Sequence, residues 1–445
     1  MTNVFVNHFL GIGGVSSVRK VLEGGCGKIR WCQWHDIPSA IDQHWDYPFR
    51  HERSKIRAPC VQSRCLAIPT MALDPEKPLL LLDGGLGTTL EDNFGVKFSH
   101  QTPLWSGHLL ISDPPTLLGA QTAFAAAGSD VILTATYQAS FAGFARTPRI
   151  DDNSHGGNNG IGYARDEAAE YMNSAIEIAR SAFIQAGKRN GGLLALSLGA
   201  YGATMSPSTE YSGAYDPEMS DWQGLYKFHY ERIMTFVHDK LDWSRISFVA
   251  FETLPVVREV RAVRETMKTL GDPSGLRPRY WVSCVFPNQD LKLPDGTTVE
   301  ELVKELLSPG LPLPYAIGIN CTKLSLMRPL IRKFEDAVAS ISPDYTPRLV
   351  IYPDGANNFV YDTTLQQWLP KDNEGGSLDK PGSGSELQSA KTGNKPWGEE
   401  MYELVTEVQE RGAWPGLLVG GCCKAGPDDI ALLRRKLDEA AGASR

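Results

Sequence analysis

From Leu79 onward the chain alternates between short apolar runs and longer stretches in which apolar residues recur every three to four positions. An apolar run of about four to eight residues bounded by turn formers reads as a buried strand, and a recurrence near 3.6 reads as a helix with one apolar face. Eight runs fit the first description: LLLLD (79–83), DVILTATY (130–137), LLALSLG (193–199), ISFVAFE (246–252), YWVSCVF (280–286), YAIGIN (315–320), RLVIYP (348–353) and GLLVGG (416–421). Helical stretches lie between them. Residues 114–127 follow Asp113-Pro114, an N-cap and first-turn pair, and residues 164–187 end in a glycine stop. Residues 222–241, 256–270, 300–307, 326–334, 398–412 and 427–440 carry the same period. Eight strand–helix units in series predict an α/β fold, a (β/α)8 TIM barrel occupying residues 76–445. A doubly wound open sheet shares this alternation and is the alternative.

Two segments break the pattern. Residues 1–75 show neither period and scatter Trp, His and Cys, so they read as a poorly ordered N-terminal extension. Residues 371–396 are poor in apolar residues and rich in Gly, Ser and Lys, the composition of a low-complexity surface insertion.

A composition of 42% apolar and 22% charged residues is ordinary for a globular protein. The net charge of −8 supplies no basic footprint, so nucleic acid is not an expected partner, while a mildly acidic field favours cationic substrates. No apolar run approaches the roughly 20 residues that span a bilayer, and no membrane partner is expected. The N-terminus, MTNVFVNHFLGIGGVSSVRK, lacks the basic start and compact apolar block of a secretory signal. That points to the cytoplasm. Arg19 and Lys20, with no acid before Glu23, make a mitochondrial presequence the alternative. The sequence sets no oligomeric state.

Without a secretory signal, the eight cysteines read as metal or redox chemistry rather than a disulfide scaffold. Cys26, Cys32, Cys60 and Cys65 lack the close spacing of structural zinc sites and receive no role. Cys284, inside an apolar run, reads as a small core residue. In α/β barrels the chemistry gathers where strands hand over to loops. Those ends here are Asp83-Gly84-Gly85, Thr134-Ala135-Thr136-Tyr137, Glu252-Thr253, Asn320-Cys321-Thr322, Tyr352-Pro353 and Gly420-Gly421-Cys422-Cys423. Closure of a barrel lets Cys321, Cys422 and Cys423 converge on one ion. Three thiolates suit a catalytic zinc, which keeps one position open. All nine histidines lie at or before His238, so none from the later loops fills that position. It stays available to water or to a substrate thiolate, which remains nucleophilic on the metal. A bond within the adjacent Cys422–Cys423 pair is disfavoured by strain. On spacing alone the metal, core and redox readings all stay open.

DGGLGTT (83–89) is neither a P-loop nor a full dinucleotide fingerprint. It reads structurally as a tight turn in which glycines supply unusual backbone angles. Functionally, Asp83 faces an ammonium while Gly84 and Gly85 offer backbone N–H groups to a carboxylate. Glu252 is a second anion on the same rim, or else a helix cap. Together these groups suit an α-amino acid.

In chain order, LLLLDGGLGTTLED, PLWSGHLLISDP, GSDVILTATYQASFAGF, SLGAYGATMSPSTEYSGAY, VAFETLP, LPDGTT, IGINCT, YPDGA and GGCCKAGPDDI resemble the successive motifs of the homocysteine S-methyltransferase family, from about Leu79 to Leu437. The resemblance implies a (β/α)8 barrel, zinc on Cys321, Cys422 and Cys423, and homocysteine as the methyl acceptor. It implies that Asp83, Gly84, Gly85, Thr134 and Glu252 bind substrate, with Asp83 and Glu252 on the ammonium. It further implies a sulfonium donor, S-methylmethionine first and S-adenosylmethionine second, with methionine as product. Two departures bear on the donor: Ala200 stands where the family usually has proline, and Tyr352-Pro353-Asp354-Gly355-Ala356-Asn357 stands where it usually has Y-P-N-S-G-E.

Three other functions fit the same residues. One keeps the chemistry and changes the acceptor to selenocysteine or another small thiol. Another is a non-catalytic barrel that binds zinc or an amino acid. The third is redox chemistry at the vicinal cysteines.

Overall fold

The computed structural model describes residues 73–99, 102–150, 162–188, 191–271, 278–341, 344–356, 359–362, 367–370 and 395–443. Its strands are β1 (Leu79–Leu81), β2 (Val131–Leu133), β3 (Leu193–Gly199), β4 (Phe248–Leu254), β5 (Arg279–Cys284), β6 (Ala316–Lys323), β7 (Arg348–Asp354), β8 (Phe359–Asp362), β9 (Gln367–Pro370) and β10 (Leu417–Val419). β8 and β9 pair as an antiparallel hairpin beyond β7. The other eight form one sheet in the order β1-β10-β7-β6-β5-β4-β3-β2, every neighbour parallel.

That order runs around a ring, with β1 beside the last strand and a single seam between β1 and β2. Two aspartates bridge the seam. Asp130 Oδ2 accepts the Leu81 N–H at 2.9 Å, and Asp83 Oδ2 accepts the Leu133 N–H at 2.9 Å. The Asp130 N–H adds a bond to Leu81 O at 2.6 Å. The sheet is therefore the barrel, and the doubly wound alternative is set aside.

Alternation along the strands explains why near-continuous apolar runs suit this fold. Leu80, Ala195, Phe248, Ala250, Trp281, Ala316, Val350 and Leu418 fill the barrel interior. Leu81, Ile132, Leu194, Leu196, Val249, Phe251, Val282, Ile317, Leu349 and Val419 face outward into the core shared with the helices. Cys284 belongs to that outer core and is fully buried, as its apolar surroundings predict.

The helices follow local signals. Helix Pro114–Ala127 is capped by Asp113, whose side chain accepts the Thr116 N–H at 3.2 Å. Helix Val299–Leu307 starts from a capping box formed by Thr298 and Glu301. Expected over 326–334, the helix after β6 runs instead over Leu324–Ile341; its apolar face continues through Ala337 and Val338, and Pro329 is accommodated inside it. Helix Leu86–Phe94 and the short helix Phe141–Arg146 were not separated from their turns by periodicity. Among the described residues, no helix is long and apolar enough to cross a membrane. The expected extension up to residue 72, its four cysteines, and the insertion from 371 to 394 lie outside the described residues.

Candidate active site

At the C-terminal ends of the strands, the inward positions change from apolar to polar while keeping the period of two. Ser197 follows Ala195, Glu252 follows Ala250, Ser283 follows Trp281, and Tyr352 follows Val350. These side chains form one buried network. Ser197 Oγ donates to Glu252 Oε1, and Ser283 Oγ lies 2.6 Å from the Tyr352 hydroxyl. Trp281 Nε1 donates to the same hydroxyl at 3.2 Å, and Tyr352 also bonds Glu252. Burial pushes the Glu252 carboxyl up to about 7, against the opposing pull of Ser197, Tyr352 and the Arg232 charge. Glu252 is thus no helix cap; the next helix begins at Val257, after Val256.

Asp83 is equally buried, and its carboxyl is held well above the usual range by desolvation, with the Leu133 N–H pulling the other way. Asp83, Glu252, Thr134, Gly84, Gly85, Cys321, Cys422 and Cys423 all line a single cavity that encloses about 130 Å³. Gly85 acts differently from expectation. The Gly85 N–H, expected to meet a substrate carboxylate, donates to Ala425 O at 3.0 Å. A side chain at Gly84 would collide with the Ala425 carbonyl, and one at Gly85 with the Cys422 carbonyl. Their contribution here is close backbone approach between the first and last strand ends.

Cys321, Cys422 and Cys423 bring their sulfurs within 4.8 Å of one another. Backbone contacts hold the arm that carries Cys422 and Cys423. The Cys422 N–H donates to Pro353 O at 2.9 Å, the Gly355 N–H to Cys423 O at 2.7 Å, and the Gly421 N–H to Asp83 O at 3.0 Å. Cys321 itself has a positive φ of 45°, set where the register of β6 shifts. In this form Cys321 and Cys422 are joined by a disulfide, with Cα atoms 5.5 Å apart, and Cys423 is a free thiol. The bonded pair is therefore not the vicinal one. Burial, helped by the charges of Asp354 and Glu210, pushes the Cys423 thiol up to about 12. Three convergent sulfurs, with no histidine beside them among the described residues, are a donor set suited to a soft cation, whose charge would favour the thiolate forms.

Several residues around the cavity lie within the quoted motifs but receive no role from the sequence. Tyr137, Glu210, Tyr211, Trp105 and Gln138 complete its wall. Tyr137 bonds Thr253 through its hydroxyl and packs against Gly199, where a larger residue would meet its ring. Buried Arg232 fixes the same loop: Nη1 donates to Gly199 O at 2.8 Å, and Nη2 to Thr136 O at 2.7 Å and to Tyr137 O. Ser197 was in reach of sequence reasoning, because counting by two from Ala195 along β3 lands on it. Glu210 and Arg232 lie in a loop and a helix, where no such count applies.

The homocysteine S-methyltransferase family model matches residues 80–437. Homocysteine S-methyltransferase 4 of Zea mays is 27% identical over 370 residues, covering 81% of this chain and 90% of that protein. The homocysteine S-methyltransferase of Escherichia coli is 27% identical over 372 residues, covering 83% and 98%. The crystal structure of the homocysteine methyltransferase MmuM from Escherichia coli, in a metallated form, superposes with a TM-score of 0.56 at 24% identity, covering 81% of this chain and 96% of that one. With the family model spanning most of its length and the barrel built as described, the chain belongs to the homocysteine S-methyltransferase family.

Proposed function

We propose that this enzyme transfers a methyl group from a sulfonium donor, S-methylmethionine or S-adenosylmethionine, to the thiol of homocysteine, with zinc on Cys321, Cys422 and Cys423. The observation that carries the reading is a juxtaposition. Three sulfurs within 4.8 Å and two buried carboxyl groups, Asp83 and Glu252, line one small cavity. Homocysteine has the matching ends, a thiol and an α-ammonium. Zinc bound there would supply the Lewis acidity that keeps a substrate thiol ionised near neutral pH.

The chain's own groups do the positioning. Asp83 and Glu252 hold the ammonium, Thr134 lines the cavity beside them, and the backbone near Gly84 lies on the carboxylate side. Ser197 and Tyr352 fix the Glu252 carboxylate by hydrogen bonds. With both ends of the acceptor fixed, the sulfur lone pair attacks the methyl carbon while the donor's S–CH3 bond breaks. Its electron pair returns to the donor sulfur. Homocysteine becomes methionine, the donor becomes a neutral thioether, and the thiol proton passes to solvent. Such fixed approach is worth a large share of a barrier.

The test is a transfer assay with homocysteine against both donors, methionine being read by mass spectrometry. No methionine from either donor, with reduced and zinc-loaded protein, sinks the proposal. Faster methylation of selenocysteine or of a simple thiol than of homocysteine would reassign the acceptor.

A further inference from the structure

Among the described residues, three carboxyl groups line the cavity, Asp83, Glu210 and Glu252, and the lining includes no lysine, arginine or histidine. An acceptor ammonium accounts for Asp83 and Glu252 but leaves Glu210 over. Glu210 is 5% exposed, and its Oε2 is buried without a hydrogen-bond partner among the described residues. A buried carboxylate without a counter-charge is costly, and its natural complement is a cation brought by a ligand.

Its surroundings favour one kind of cation. Tyr137 and Tyr211 line the same recess, and the charge of Glu210 acts on both hydroxyls. Cys423, the free thiol of the cluster, lines it too. The loop carrying Glu210 is anchored, since the Thr209 N–H donates to Gly202 O at 2.9 Å and the Gly213 N–H to Thr209 O at 2.8 Å. A carboxylate and aromatic rings together suit an onium centre, whose charge is spread over methyl groups and forms no hydrogen bonds.

We infer that Glu210 is the counter-charge for the sulfonium centre of the methyl donor, and that with Tyr137 and Tyr211 it makes the enzyme select a cationic donor over a neutral thioether. This rests on the sulfonium-donor reading above. It has a consequence for turnover: the donor sulfur is neutral after transfer, so the attraction that seated it disappears and the thioether is released.

The test compares S-methylmethionine with homoleucine, its neutral isostere in which CH replaces the sulfonium sulfur. Both carry the same α-ammonium and carboxylate, so the ratio of their affinities by calorimetry reads the sulfonium charge alone. Wild type should favour the sulfonium by about tenfold or more, and Glu210→Gln should bring the two within about twofold. In steady state the variant should raise KM for S-methylmethionine about tenfold while KM for homocysteine moves less than about twofold. A retained preference overturns the assignment, and so does equal weakening of both ligands, which would put Glu210 on the donor's ammonium. Loss of zinc or a lower Tm in the variant would make Glu210 structural and overturn it too. A wild type active with S-methylmethionine but a variant unchanged defeats the Glu210 assignment alone. A wild type inactive with both sulfonium donors defeats the donor reading, and this inference with it.

Discussion

Asn320 grips Thr253 twice across two strand ends: its Oδ1 accepts the Thr253 N–H at 2.8 Å, and its Nδ2 donates to Thr253 Oγ1 at 2.7 Å. Thr253 has a φ of 60°, a conformation a β-branched residue rarely adopts and one that costs energy. The clamp stabilises it at the shift in register of β4, right after Glu252. Asn320 also precedes Cys321, so one amide ties the carboxylate arm of the cavity to its sulfur arm. Asn320→Ala should lower stability by about 1–3 kcal/mol, because it leaves a buried N–H unpaired. It should reduce kcat/KM about tenfold or more through misplacement of Glu252 and Cys321. Denaturant unfolding and steady-state kinetics on the same preparation check this, and a variant with wild-type values for both would show that the clamp is idle.

The three cysteines make a prediction about metal and redox state together. Reduced protein should carry about one zinc per chain, and Cys422→Ser or Cys423→Ser should lose zinc and transfer activity in parallel, since a hydroxyl is a far poorer ligand than a thiolate. Cys284→Ala, buried in the outer core, should keep both. Because Cys321 and Cys422 can form a disulfide, oxidation after chelation should block zinc reloading until a thiol reductant restores both sulfurs. Metal analysis with and without reductant decides the matter. A full zinc complement in Cys422→Ser, with full turnover, rules the site out.

Glu252 gives the acceptor site a pH dependence with a definite sign. Burial raises its carboxyl to about 7, so in the ligand-free site it takes up a proton as the pH falls through that value and loses its attraction for an ammonium. An alkanethiol shares the thiol but not the ammonium, which isolates this effect from ionisation of the thiol. The preference for homocysteine over the alkanethiol in kcat/KM should fall from about pH 8 to about pH 6. In Glu252→Gln it should be lower by about thirtyfold or more and depend less on pH across that range, Asp83 remaining, with zinc content unchanged. A variant that discriminates like wild type would confine Glu252 to a structural part.

How much of this was written in the chain depends on distance along it. The strands came from runs of neighbouring residues, and β3 at 193–199 was legible to the residue because every one of its positions is buried. The run at 130–137 outlasts β2, which ends at Leu133; of the residues that follow, Thr134, Ala135 and Tyr137 line the cavity. The cysteines stood out as strand-end residues, but the disulfide between Cys321 and Cys422 is a contact across two strands that spacing cannot encode. The seam was invisible for the same reason: that Asp83 bonds Leu133, as well as lining the cavity, depends on β1 meeting β2 in space. Glu210 lies within a quoted motif but in a loop whose course is set by contacts with Gly202 rather than by any period, so no count along the chain assigns it to the cavity.

The N-terminal boundary of the barrel can be located by truncation at two points. Among the described residues no strand begins before Leu79, so deletion of residues 1–70 should leave Tm and transfer activity near those of the full chain. The few residues just before β1 are different. Arg348, at the start of β7, donates through Nη1 to Lys77 O at 2.7 Å and through Nη2 to Glu76 O at 2.8 Å and Glu76 Oε2 at 3.0 Å. Arg348 is largely buried and its guanidinium lies 5.1 Å from the centre of the Tyr315 ring, while Arg279 reaches Glu76 as well. Deletion of residues 1–77 removes these acceptors and leaves a largely buried guanidinium short of partners, which should cost about 2–4 kcal/mol. The expected outcome is a sharp loss of Tm between the two truncations, with residual activity lost in step with folding. Equal stability in both would mean that Arg348 finds other acceptors, and a collapse already at 1–70 would mean that the extension supports the barrel.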